Sequence, residues 1–131
     1  MDKIEKLWDE YTELVKQEGN FAKIIGCMDS IIQLDPKNAY AWGNKGIALA
    51  NSGKSEEAIE CYDNALEVDP KDARTWYNKG IAFANLGKHE EAIECYNKAN
   101  ELDPEYARAW YNKGVTLGSL GKHEEAIECY D

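Results

Sequence analysis

The chain has 131 residues, a length that suits one domain with a modest core. Its 25 acidic residues against 15 Lys and Arg give a formal charge of -10, which argues against nucleic acid or an anionic membrane surface as a partner. No apolar run approaches the roughly 20 residues that a membrane span needs, and the opening MDKIEKLWDEY is charged and amphipathic, unlike a secretory signal.

Residues 5–38 carry two helical patterns, with Trp8 in the first, Gly19 and Phe21 between them, and Pro36 after the second. Residues 39–72 write the same plan more clearly. From Ala39 to Asn51, Trp42, Gly46 and Leu49 recur at intervals of three and four, one face of a helix. Asn38 is placed to cap its start, and Ser52-Gly53 breaks it. Ser55-Glu56-Glu57-Ala58 then opens a second helix whose inner face carries Ala58, Tyr62 and Ala65. Asp69-Pro70 closes it, because proline lacks an N–H and its ring opposes continuation.

Residues 73–106 and 107–131 repeat the unit again, with TWYNKG and AWYNKG in the first helix and LGKHEEAIECY running through the turn into the second. The last copy stops short of a full unit at Asp131, and the chain is expected to form one domain over 1–131. Trp8, Trp42, Trp76 and Trp110 stand 34 residues apart, as do Gly19, Gly53, Gly87 and Gly121. Fixed self-similarity outranks local propensity, because each unit leaves apolar surface that only a neighbouring copy buries. The expected fold is all-α, a right-handed solenoid of antiparallel helix hairpins. Gly46, Gly80 and Gly114 lie inside helices at a cost of about 1 kcal/mol relative to alanine. We expect them to let the paired helix approach at Ala58, Ala92 and Ala126.

Cys27, Cys61, Cys95 and Cys129 follow the same period. Zinc sites use short local pairs such as CxxC, and disulfides need Cα atoms within about 7 Å. Cysteines one repeat apart, with helices packed roughly 10 Å from each other, are too far for a bridge. They read as partly buried thiols in a reducing, cytoplasmic setting, with a metal or disulfide role as the minor alternative.

These positions resemble the tetratricopeptide repeat, whose pattern has Trp, Leu-Gly and a large residue in one helix, then Ala, an aromatic, Ala and Pro through the next. The third copy matches it with Trp76, Lys79-Gly80, Phe83, Ala92, Tyr96, Ala99 and Pro104. The second gives Trp42, Lys45-Gly46, Leu49, Ala58, Tyr62, Ala65 and Pro70, and the fourth Trp110, Lys113-Gly114, Leu117, Ala126 and Tyr130. Lys45, Lys79 and Lys113 replace the usual leucine, so their stems are expected to cover the core while the amines reach water. The first copy departs furthest, with Tyr11-Thr12 for Leu-Gly and Ile24 and Ile31 for the alanines. Thr12 is expected to face Ile24 in a looser contact.

The resemblance implies that the first helix of each hairpin lines a concave groove binding an extended peptide of a protein partner. The groove candidates are Tyr40, Asn44 and Asn51; Arg74, Tyr77, Asn78 and Asn85; and Arg108, Tyr111 and Asn112. Asparagine is a mediocre interior helix former, so Asn44, Asn78 and Asn112 need another use. Pairing with peptide backbone and helix-packing hydrogen bonds are the two uses weighed. Some relatives clamp a terminal carboxylate with Lys and Asn, but Asp9, Glu13, Gly43 and Ile47 occupy positions of that clamp. The glutamates of the second helices read as a solvated face, and His89 and His123 as packing residues.

No nucleophile with a base, phosphate-cradling loop or acid pair breaks the repeat, so no enzyme and no cofactor is expected. The alternative to a binding scaffold is a structural spacer or self-assembly element, part of a larger or engineered protein. Tyr111, Val115, Leu117, Leu120 and Ile127 are expected to be partly uncovered in the last hairpin, which favours weak self-association.

Overall fold

A computed structural model describes residues 2–130. The described residues form eight α-helices: α1 (Lys3–Leu14), α2 (Phe21–Leu34), α3 (Ala39–Asn51), α4 (Ser55–Val68), α5 (Ala73–Asn85), α6 (His89–Leu102), α7 (Ala107–Ser119) and α8 (His123–Tyr130). They pack as the antiparallel hairpins α1/α2, α3/α4, α5/α6 and α7/α8, one per repeat. The hairpins fall into two compact units, the first reaching Pro70 and the second starting at Lys71. The fourth repeat's end at Asp131 lies outside the described residues.

Local chemistry sets the ends of these helices. Asn38 and Asp72 cap α3 and α5 by accepting hydrogen bonds from Ala41 N at 3.0 Å and Arg74 N at 3.0 Å. Gly53, Gly87 and Gly121 adopt φ of 86°, 76° and 80°, the left-handed conformation that ends a helix without a Cβ clash. At the α3/α4 turn, Lys54 N reaches Leu49 O at 2.8 Å and Gly53 N reaches Ala50 O at 3.0 Å, a pairing that satisfies the last carbonyls. The same pairs recur from Lys88 to Phe83 and from Lys122 to Leu117, both 2.9 Å.

In the first unit, Ile24, Cys27, Met28, Ile31, Ala41 and Ala48 form a buried core. Close approach at the helical glycine has a different cause from the one expected from sequence. A Cβ at Gly46 would sit 2.5 Å from Tyr62 Cε1, so the tyrosine ring packs directly over the glycine. Lys45 also departs from expectation. Its amine does not simply run to water: it lies 2.7 Å from Asp29 Oδ1 and 5.7 Å from the centre of the Trp42 ring. Burial works against the Lys45 charge, but the hydrogen bond and attraction of Asp29 outweigh it and hold the amine above its ordinary pKa. Trp42 is fixed from the other side by donating its indole N–H to Pro36 O at 2.9 Å.

Helix α1 packs unlike the other first helices. Leu7, Trp8, Tyr11 and Leu14 meet the core, whereas Thr12 is exposed and returns its hydroxyl to Trp8 O at 2.9 Å. Thr12 therefore does not face Ile24. The side chains of α1 that meet the core are only partly buried, and the helix has no fully buried residue. Val15, where the second and fourth copies bury Leu49 and Leu117, is 48% exposed.

In the second unit the core is aromatic. Tyr77 stacks edge-on against Tyr106 with centroids 5.1 Å apart, and its ring lies 6.1 Å from that of Tyr96. Cβ atoms at Gly80 and Gly114 would meet Tyr96 at 2.5 Å and Tyr130 at 2.6 Å. At both, the carbonyl of the expected alanine, Ala92 or Ala126, is 3.2 Å away, so ring and backbone together demand glycine. Trp110 donates to Pro104 O at 2.8 Å, as Trp42 does to Pro36. In the last hairpin Leu117 is 3% exposed, buried rather than uncovered, while Tyr111, Val115 and Ile127 are 61%, 44% and 60% exposed.

Candidate binding surfaces on the first helices

Three sequence-derived residues fall in the first unit, on α3. Tyr40 at its first turn is 65% exposed and meets the Trp8 ring edge-on, with centroids 5.6 Å apart. Asn51, at its last turn, is also exposed. Asn44, between them, is only 8% exposed, and its Nδ2 is covered with no hydrogen-bond partner. Asn44 and Asn51 line one cleft of about 500 Å³ with Tyr11, Val15, Phe21, Ile24, Ile47 and Ala48. Tyr40 does not line this cleft.

The other seven lie in the second unit, on α5 and α7. Arg74, Asn85, Arg108 and Tyr111 are exposed, and Asn78 is half-buried. Tyr77 is 9% exposed. Its phenolic oxygen accepts a hydrogen bond of 2.8 Å from Asn112 Nδ2. Tyr77, Arg108, Tyr111 and Asn112 come together around a shallow depression of about 370 Å³, with Ala107 completing the wall. It offers a guanidinium fork, an exposed aromatic face and a carboxamide oxygen, a mixture suited to main-chain polar groups and flat or apolar side chains. Arg74, Asn78 and Asn85 lie outside that depression.

Sequence reasoning missed the role of the lysines in ordering the aromatics. Lys79 and Lys113 stand 5.2 Å and 5.4 Å from the Trp76 and Trp110 ring centres, repeating the arrangement of Lys45 with Trp42. The i, i+3 spacing of Trp and Lys was the available signal.

None of the four cysteines forms a disulfide, and Cys27, Cys61 and Cys95 are buried. Burial, partly opposed by Lys45 and reinforced by Asp29, pushes the Cys61 thiol up to about 11, the reverse of a reactive cysteine. Among the described residues, no group of three or more His, Cys, Asp or Glu is placed to hold a metal ion. None of their helices is long and apolar enough to cross a membrane.

Comparison with known proteins agrees with this architecture. Tetratricopeptide repeat models match residues 13–73, 44–105 and 95–128. A search of curated proteins found no match. Among solved structures, a crystal structure of MamA is 23% identical with a TM-score of 0.91, covering 98% of this chain and 74% of that one. MamA from Desulfovibrio magneticus RS-1 gives 25% identity and a TM-score of 0.89, covering 98% and 72%. The second repeat domain of Spaghetti (RPAP3), bound to the HSP90 peptide SRMEEVD, is 31% identical with a TM-score of 0.69, covering 72% of this chain and 89% of that one.

Proposed function

Because the chain belongs to the tetratricopeptide repeat family, we propose that its protein-binding role consists of holding an extended peptide on the first helices of its hairpins. The observation that carries this reading is the depression formed by Tyr77, Arg108, Tyr111 and Asn112. Tyr62 and Tyr96 are each 2% exposed, so this fold buries tyrosines where packing requires them; Tyr111 is left 61% exposed on a first helix. Aromatic residues and arginine are both enriched at protein interfaces and among the side chains that carry most of their binding energy.

The similar domain of Spaghetti is bound to an acidic peptide. In this chain Asp9 and Glu13, both exposed, occupy two of the positions from which relatives hold a carboxylate. Like charges at those places disfavour an acidic tail, so the ligand of this chain is an uncharged or basic segment. An array of extended peptides graded in net charge, read by fluorescence anisotropy against the whole chain, tests this. Binding concentrated among neutral and basic peptides supports the reading. Absence of binding across the array favours a spacer.

A second reading, weak self-association, is favoured by the cluster of exposed apolar side chains in the last hairpin. Tyr111 and Tyr130 stack with centroids 5.6 Å apart beside a depression of about 710 Å³, and Ile127 is 60% exposed.

A further inference from the structure

The first and last hairpins each leave bare a patch that complements the other. In the first, Lys3, Lys6 and Leu7 of α1 line a groove of about 390 Å³ together with Ser30, Gln33 and Leu34 of α2. Both lysines are exposed, and Leu34 is 48% exposed. No acidic residue lines this groove, in a chain whose formal charge is -10. Neither lysine forms an ion pair with a described residue. Such a groove complements a helix that carries carboxylates beside an apolar side chain.

Helix α8 presents that pattern. Ala126, its one buried residue, sets its carbonyl 3.2 Å from where a Cβ of Gly114 would stand, so this side of the helix meets α7. At 3.6 residues per turn, Glu124, Ile127 and Glu128 lie on the side away from Ala126. Both glutamates are exposed, and neither forms an ion pair with a described residue. Ile127 is 60% exposed, whereas the same position of earlier repeats, Ile59 and Ile93, is half-buried. Glu124, Ile127 and Glu128 stand at i, i+3 and i+4 of their helix, as Lys3, Lys6 and Leu7 do of theirs. Laid together, the two stripes set lysines against glutamates and Ile127 over Leu7 and Leu34.

We propose that the α1/α2 groove of one copy receives the outer face of α8 from a second copy, with Lys3 and Lys6 against Glu124 and Glu128. The proposal rests on the self-association reading and names the two surfaces it uses. The occupant is a second copy because the same molecule supplies both halves of the contact, each uncovered. Unlike surfaces meet, so the contact is heterologous and copies add in series instead of stopping at a pair. A helix of about two turns against one groove falls short of the ~1,200 Å² that stable complexes bury, which keeps the contact weak. Added salt screens the long-range repulsion between acidic chains more than it weakens covered ion pairs, so association still rises with salt.

The test compares three forms of the whole chain by sedimentation equilibrium up to millimolar concentration: wild type, Lys3→Glu with Lys6→Glu, and Glu124→Lys with Glu128→Lys. Each double variant alone should associate at least fivefold more weakly than wild type. An equimolar mixture of the two should regain association, because the α8 of one still fits the groove of the other. The α8 reversal is decisive. It makes the chain less acidic, so general charge repulsion would give stronger association and the proposed contact gives weaker. If circular dichroism shows that lysine in its first turn unravels α8, Glu128→Gln with Ile127→Ser takes its place, and the same weakening is expected. In isotopically labelled wild type, amide shifts that grow with concentration should fall on Lys6, Leu7 and Leu34 and on Ile127 and Glu128. Association that neither reversal changes, or shifts confined to the last hairpin, overturns the docking and leaves self-association standing. A wild-type chain that stays monomeric at millimolar concentration overturns both. Groove shifts caused by added polyglutamate, but not by the chain's own concentration, assign the groove to an unrelated acidic partner and overturn the second copy.

Discussion

Asn112 on α7 and Tyr77 on α5 share a hydrogen bond of 2.8 Å across 35 residues of sequence. It ties the first helices of two successive repeats through a tyrosine that is itself packed against Tyr96 and Tyr106. Tyr77→Phe removes the acceptor while keeping the ring, so the expected loss is about 0.5–1.5 kcal/mol. In a double-mutant cycle by urea denaturation, Tyr77→Phe and Asn112→Ala should be non-additive. Full additivity would mean that the bond contributes nothing to stability.

The helical glycines should divide by sign. At Gly80 a methyl group meets the Tyr96 ring at 2.5 Å and the Ala92 carbonyl at 3.2 Å. Overpacking of this kind costs about 1–3 kcal/mol, more than the ~1 kcal/mol of helix propensity regained. Gly43 has nothing within 4 Å of its Cβ position in the middle of α3. Gly80→Ala should lower the melting temperature and Gly43→Ala should raise it, by calorimetry. A rise for both would contradict the packing described.

Much of this architecture was legible in the 34-residue ladder of Trp and Gly, because a strict period fixes where each helix starts and stops. The geometry of α1 was not. Alignment sets Thr12 in the place of Gly46, but Thr12 is exposed and bonded to Trp8 O, while Tyr11 and Leu14 pack partly buried against the core. Ring-over-glycine packing was also hidden, since the sequence shows a small residue without saying which of Ala58 or Tyr62 fills the gap. The Lys45–Asp29 pair joins helices of different repeats and has no local spacing to betray it. For the candidate surfaces, sequence supplied the asparagines but not their divergence: Asn112 is paired to Tyr77, while Asn44 is buried without a partner.

Alkaline pH should destabilise the first unit through Cys61. Burial is the main cause of its raised pKa of about 11, against an ordinary value of 9.0. A folded pKa above the unfolded one contributes stability that is complete below pH 9 and lost as pH rises toward 11. Lys45, also raised, titrates in the same sense. Thermal melts between pH 8 and 11 should decline more steeply for the wild-type chain than for Cys61→Ala. Equal slopes would remove the thiol from this account.

Self-association through the exposed side chains of the last hairpin should be weak, because the -10 charge of the chain opposes it. Sedimentation should show mass rising with concentration and with added salt. Ile127→Asp should suppress the rise. A constant monomer mass at millimolar concentration would contradict it.

The proposed peptide surface is tested most directly by titrating the best-binding array peptide against the wild-type chain, Asn78→Ala and Tyr111→Ala. Asn78 is half-buried and Tyr111 exposed, both on first helices. The expected result is weaker binding by each variant, with a loss for Asn78→Ala of about 0.5–1.5 kcal/mol, the value of one hydrogen bond, and melting temperatures close to wild type. Unchanged affinity accompanied by lost stability would make these packing residues and contradict the proposed surface.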